Sequence, residues 1–299
     1  MTDSERYDTE ARDAWVAGPG GVRLYMKIRE PSRQKYADRR FPVVITVPGG
    51  LGSGQQGRFG MSLAELGFVH VAFCPQGRGE GTPEHPRSEG EEDCNGFAGQ
   101  DGLKAAIEHV AELPEVDAEC IGIFSASFGI SLTAGALGRY PELPVRYVID
   151  NEGPSDSEVI CFDPWDDPER EEWAVERFGH RSTARDPSPE NVAWWNEREA
   201  VRYIGKMRAC YLRTQSDEDH AQPPGFCRHA LDLVNRATLG ASPWTRVNGS
   251  DMGNPINATY DVDDPAAHPR WLHGHLKHHR GVEVRYIVEM MELVRREKL

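Results

Sequence analysis

At 299 residues the chain is long enough for one large domain or two small ones around a sizeable buried core. Its 38% hydrophobic and 27% charged residues are the balance of a soluble globular protein. A net charge of −14, from 48 acidic against 34 basic residues, argues against nucleic acid or an anionic membrane surface as partner, since phosphate binding needs clustered cations.

The opening Met-Thr-Asp-Ser-Glu-Arg has neither a basic n-region nor an apolar h-region, and residues 1–10 read as a loosely attached lead-in. Ala14 to Ala17, Gly18-Pro-Gly-Gly21 and Val22 to Ile28 predict a hairpin, followed by a polar loop from Pro31 to Arg40. Phe41 to Val47 is a continuous β-branched run, hence a strand buried on both faces, and it stops at Pro48-Gly-Gly-Leu-Gly-Ser-Gly54. Met61 to Gly67 predicts a short helix, and Phe68 to Phe73 the next strand, leading into the turn Gln76-Gly-Arg-Gly-Glu-Gly81. Residues 82–96 read as a surface loop, and Asp101 to Leu113 as an amphipathic helix leading into a strand at Cys120 to Phe124. Further strands are expected at Val145–Ile149, Ala209–Leu212 and Trp244–Asn248, with a closing helix from Glu283 to Arg296. The alternation predicts an α/β fold: a mostly parallel sheet, helices on both faces, the hairpin at one edge. Residues 155–205 contain no strand pattern and are rich in Trp, Pro and charge, so they read as an insertion over a core formed by 1–154 and 206–299.

No apolar run reaches membrane-spanning length. The six cysteines are scattered without a C-x-x-C pair and read as reduced thiols, so the expected location is the cytoplasm.

The chemistry centres on Ile121-Gly-Ile-Phe-Ser-Ala-Ser127-Phe-Gly-Ile-Ser-Leu-Thr-Ala-Gly-Ala-Leu137. A strand ends at Phe124, a tight turn follows, and a small-residue helix begins at once. This places the Ser127 hydroxyl at the apex, in the pattern G-x-S-x-G with Ser125 for the first glycine. Small flanking residues are required because bulk two positions from the serine would strike the neighbouring strand or helix. The plainer alternative is that Ser127 only caps a helix.

Together these features resemble the α/β-hydrolase superfamily, in particular its dienelactone-hydrolase-like and prolyl-peptidase-like members, whose fourth strand is followed by an R-G-x-G-x-S turn similar to residues 76–81. The resemblance implies a cap between the sixth and seventh strands and a Ser-acid-His triad in that chain order. Its acid follows the seventh strand, where Asp219, with Asp217 in reserve, precedes Pro223; some members place it after the sixth strand, at Asp150 or Glu152 here. Its histidine precedes the closing helix, which selects His275 in Gly274-His275, with His273 as alternate. The oxyanion hole would comprise the N–H groups of Phe128 and Gly50, with Leu51 as alternate.

The expectation is a serine hydrolase acting on an ester, thioester or amide of a small molecule through an acyl-enzyme, with no metal or organic cofactor. Trp165 and Trp194 are candidates for lining the substrate site, and Glu152 for holding a substrate amine. Three alternatives remain open: a metal site at His273, His275 and Asp263 or Asp264, a non-catalytic ligand-binding member of the fold, and an acyltransferase. A homodimer is also open.

Overall fold

The computed structural model describes residues 6–54, 60–274 and 280–299. Eight strands form one sheet: β1 (Thr9–Ala17), β2 (Arg23–Pro31), β3 (Phe41–Val47), β4 (Val69–Phe73), β5 (Val116–Ala126), β6 (Val145–Asn151), β7 (Cys210–Thr214) and β8 (Thr245–Val247). Their spatial order is β1-β2-β4-β3-β5-β6-β7-β8. The β1–β2 hairpin pairs antiparallel, β2 pairs antiparallel with β4, and every later pairing is parallel. The hairpin does sit at one edge.

The helices are α1 (Gly60–Glu65), α2 (Phe97–Ala111), α3 (Gly129–Arg139), α4 (Ser157–Ile160), α5 (Pro168–Phe178), α6 (Pro189–Asn196), α7 (Arg228–Thr238) and α8 (Arg280–Glu297). Alternation along the strands separates two cores. Val43, Ile45, Val47, Ile121 and Ile123 pack with Leu103, Ile107, Leu132 and Leu233 from α2, α3 and α7. Val44, Phe124, Ile149 and Leu212 point the other way, against Leu63 of α1 and Tyr286, Ile287 and Met290 of α8. Helices therefore cover both faces, and every residue of β3 is buried, as a two-faced apolar strand requires.

Three local expectations change. The lead-in is tied down from Tyr7 onward: its N–H bonds the Glu65 carbonyl at 3.0 Å and its ring lies edge-on to Phe41 at 5.4 Å. The 82–96 loop is partly interior, with Ser88 and Asn95 buried. The helix expected from Asp101 begins four residues earlier, at Phe97.

Between β6 and β7 the chain forms α4, α5, α6 and short 3-10 turns, and no strand. The starts and stops of α5 follow from sequence: Asp167 accepts from the N–H groups of Glu169 and Arg170, Pro168 takes the first turn, and Gly179 ends the helix at φ 73°. No helix among the described residues is long and apolar enough to cross a membrane.

Candidate active site

In a parallel sheet the loops at the C-terminal strand ends converge on one edge, and the candidate residues lie there. β5 ends at Ala126, and Ser127 turns the chain into α3 at φ 48°, a left-handed conformation that side chains with a Cβ rarely adopt. The strain is held from both sides: the Ser127 N–H bonds the Asn151 carbonyl at 2.8 Å, and the Ser127 carbonyl accepts from Ile130 at 3.0 Å. The small neighbours are sterically necessary. A Cβ on Gly129 would lie 2.6 Å from the Pro48 carbonyl oxygen, and one on Gly49 would lie 2.9 Å from the Cβ of Ser127. Ser125 is fully buried, so its side chain too must be small.

Ser127 Oγ lies 2.7 Å from Nε2 of His220. Nδ1 of the same ring lies 2.9 Å from Oε2 of Glu152. Glu152 follows β6 at φ 52° and is 2% exposed, so its carboxyl oxygens depend on internal hydrogen-bond partners. Its Oε1 accepts from the Ser216 N–H at 3.3 Å and from the Ser216 hydroxyl, while Oε2 also accepts from the His220 N–H at 3.4 Å. The hydroxyl, imidazole and carboxylate thus form one hydrogen-bonded line across the ends of β5, β6 and β7.

Asp219, the expected acid, lies beside this line with Oδ1 3.4 Å from Nδ1 of His220. Oδ1 is engaged in shaping the loop, accepting from the N–H groups of Ala221 at 2.8 Å and Gln222 at 3.1 Å. Oδ2 accepts from the Gln215 amide at 2.9 Å and lies 3.3 Å from the buried His229 ring. Burial opposes ionisation of Asp219, but His229 and His220 beside it and the Gln215 amide hold its carboxyl well below the usual carboxylate range. Burial in turn pushes His229 down from its ordinary value.

Of the two expected histidines, only the alternate, His273, lies among the described residues. His273 is almost fully exposed, with Nδ1 3.0 Å from Asp217, and the imidazole on Ser127 belongs to His220. Asp217 is accordingly taken up by the 273–274 turn, also accepting from the Gly274 N–H at 2.7 Å. His275 lies outside the described residues. Of the residues considered for a metal, His273 is drawn to Asp217, while Asp264 accepts from the Ala266 N–H at 3.0 Å and Asp263 donates its own N–H to Asp261. One group with ligand spacing stands out among the described residues, Glu152, Asp219 and His220, and its atoms are those of the line just described.

His220 lies outside the family pattern, which places the histidine beyond β8. A sheet-level signal pointed to it: β7 lies two strands from β5, roughly 10 Å away at ~4.8 Å per strand, so a histidine in the β7 loop is within reach of Ser127. Glu152, considered for a substrate amine and as an alternative acid, has its carboxylate turned inward onto Ser216 and His220.

The Gly50, Leu51 and Phe128 N–H groups donate to no acceptor among the described residues. Gly50 adopts φ 54°, and a Cβ there would meet nothing within 4 Å, so this loop stands open in front of the serine turn that Gly49 touches. The segment between β6 and β7 adds a chain of rings beside it. Phe128 lies 5.5 Å from Phe178, Phe178 lies 6.0 Å from Trp173, Trp173 lies 5.9 Å from Phe162, and Phe162 lies 5.8 Å from Trp165. Trp165 then meets Phe226 at 4.7 Å, and Phe226 stacks on His229. Trp194 stacks on His180 at 4.3 Å and lies 3.8 Å from the Arg198 guanidinium, so its ring is engaged in packing contacts. Trp195 is fully buried with its indole N–H on the Arg181 carbonyl.

No protein-family model matches the chain. An uncharacterized protein of Pseudomonas aeruginosa is 30% identical over 133 residues, which cover 44% of this chain and 34% of that protein. The acylaminoacyl peptidase of Pyrococcus horikoshii has a similar structure, with a TM-score of 0.63 and 18% identity over 96% of this chain and 41% of its own. Acetyl xylan esterase 1 of Thermoanaerobacterium sp. JW/SL YS485 gives a TM-score of 0.61 at 16% identity, covering 98% of this chain and 86% of the esterase. The chain thus spans well under half the length of the Pseudomonas relative and of the Pyrococcus peptidase. The strand order, the strained serine turn after β5 and these likenesses agree on one conclusion: the chain has the α/β-hydrolase fold.

Proposed function

We propose that the protein is a serine hydrolase in which Ser127 is the nucleophile, His220 the general base and Glu152 the acid that orients it. The observation that carries this reading is the 2.7 Å approach of Ser127 Oγ to His220 Nε2, with Glu152 at 2.9 Å from the opposite ring nitrogen. A carboxylate on Nδ1 selects the tautomer that leaves Nε2 free to accept the serine proton, and it stabilises the imidazolium that forms. Ser127 Oγ attacks an acyl carbonyl as its proton passes to Nε2. The N–H of Phe128 and that of Gly50 or Leu51 receive the charge developing on the carbonyl oxygen. The imidazolium returns the proton to the leaving group, and His220 then activates water to release the acid.

The segment 155–205 acts here as a cap. Its ring chain runs from Phe128, next to the nucleophile, to Phe226, beside the His220 loop, and fits a small molecule with an apolar or aromatic acyl or leaving group. Similar structures include a peptidase and an esterase, which supports testing amides and esters together.

The test is labelling with a fluorophosphonate, read by intact mass and peptide mapping. A single adduct on Ser127 in the wild type, absent in Ser127→Ala, is expected, together with loss of turnover of any active ester in that variant. Ester turnover retained by folded Ser127→Ala would refute the serine mechanism.

A further inference from the structure

The turn at residues 76–81 takes no part in the mechanism above, yet it carries a buried cation. Arg78 is 3% exposed, and each nitrogen of its guanidinium makes a hydrogen bond. Nε and Nη2 fork onto Glu92, Nη2 also donates to Oδ1 of Asn95 at 2.6 Å, and Nη1 reaches the Gly50 carbonyl at 3.3 Å. Asn95 continues the line, its Nδ2 donating to the Phe128 carbonyl at 2.8 Å. The backbone pays attention to neither helix nor strand geometry here: Cys94 and Asn95 both adopt positive φ, at 53° and 67°. Conformations of that kind persist only where surrounding bonds over-determine them. The flanking glycines are what allow the approach. A Cβ on Gly77 would lie 2.5 Å from the Glu92 nitrogen, and one on Gly79 would lie 2.4 Å from the Pro86 carbonyl oxygen.

Arg78 and Asn95 therefore bridge two loops that leave neighbouring strands: the glycine loop after β3 and the serine turn after β5. We propose that Arg78 and Asn95 are positioning residues that set the two halves of the oxyanion hole in register, an inference resting on the serine-hydrolase reading. The Gly50 carbonyl and the Leu51 N–H belong to one planar peptide unit and point in opposite directions, so fixing the carbonyl aims the N–H. Of the two donors weighed for the β3 loop, the clamp selects Leu51. Holding Phe128 by its carbonyl fixes the residue whose own N–H is the second donor. A guanidinium suits this task because its planar fork engages Glu92, Asn95 and Gly50 at once, which the single ammonium of lysine does not.

The experiment compares wild type with Arg78→Lys, Arg78→Ala and Asn95→Ala in the full chain, using an activated aryl ester and an aryl trifluoromethyl ketone. The ketone's hemiketal oxygen occupies the oxyanion position, so its affinity reads the hole directly. Donor misplacement predicts a kcat lower by about 10²-fold in the Arg78 variants, a KM within about threefold, and a ketone Ki raised in parallel with the loss in kcat/KM. Guanidinium ion at millimolar concentration is expected to restore part of the activity of Arg78→Ala. A wild-type kcat in folded variants, or a lowered kcat with unchanged ketone affinity, would overturn the clamp. Asn95→Ala keeps the test open should the arginine variants fail to fold. Fluorophosphonate labelling of the wild type separates the two levels: no adduct on Ser127 removes the underlying reading, whereas an adduct with unaffected variants removes the clamp alone.

Discussion

Ser127, His220 and Glu152 come from three different loops, and each has an anchor of its own besides the bonds that join the three. Ser127 is anchored to Asn151, Glu152 donates its N–H to the Thr214 carbonyl at 3.1 Å, and His220 sits in a turn folded on Oδ1 of Asp219. Conservative substitutions that keep these anchors should separate the roles. His220→Gln and Glu152→Gln are each expected to lower kcat by about 10³- to 10⁴-fold, because one removes the base and the other its tautomer. Asp219→Asn keeps a side-chain oxygen for the Ala221 and Gln222 N–H groups and should cost about tenfold or less. His273→Ala, at an exposed site paired with Asp217, should leave kcat within about twofold. Steady-state kinetics on the four variants check the assignment, and a loss in His273→Ala equal to that in His220→Gln would reverse it.

At the scale of elements, the edge that carries the site is joined by a buried ion pair between neighbouring strands. Arg213 of β7 donates to Oδ2 of Asp150 in β6 at 2.6 Å, and both side chains are fully buried. The same guanidinium reaches the Gly153 carbonyl at 2.7 Å and Gln215 at 2.6 Å, and the Tyr211 hydroxyl donates to Asp150 at 2.7 Å. Gln215 carries the network on to Asp219, the residue before His220. Arg213→Met leaves the Asp150 charge buried without its cation and is expected to destabilise by ~3–5 kcal/mol, measured by denaturant unfolding. Pairing it with Asp150→Leu should recover much of the loss, since the penalty comes from the unpaired charge. The helices of 155–205 join the same edge from above: Arg170 of α5 donates to the Ala221 carbonyl at 2.8 Å, one residue from His220. Composition and the lack of a strand pattern made the insertion legible in the sequence; its helices and their contact with the His220 loop were not, the contact joining residues 51 apart.

Across the whole molecule, the buried titratable group with the clearest consequence is His70, on β4 between the two cores. Its Nε2 lies 2.8 Å from the Thr46 hydroxyl of β3. Burial, with the Arg29 charge adding to it, pushes His70 down to about 3. The unfolded chain takes up this proton below about 6.5, whereas the native state does so only near the lowered value. Between these limits the unfolded state binds more protons, so stability falls as pH drops, by ~1.4 kcal/mol per pH unit from this one group. His70→Gln should reduce the slope of unfolding free energy against pH between about 6 and 4, and equal slopes in the two proteins would refute the assignment.

Hydrophobic periodicity and turn chemistry are local, so the sequence alone determined the eight strands, the helices after β3, β4 and β5, the closing helix and the strained serine turn, but not the helices between β6 and β8. Phe41 to Val47 could be nothing but a two-faced strand, and Ser127 could be placed because strand, turn and helix are contiguous in the chain. The partners of Ser127 are not contiguous with it. Which carboxylate and which imidazole reach the hydroxyl depends on the order of strands in the sheet and on where each loop turns. The sequence offered Asp217 and Asp219 against Glu152, and a histidine-rich tail against one histidine after β7. Tertiary structure decided among them, since only the adjacency of β5, β6 and β7 brings Glu152 and His220 onto one line with Ser127, while the tail at His273 is drawn to Asp217 on the surface.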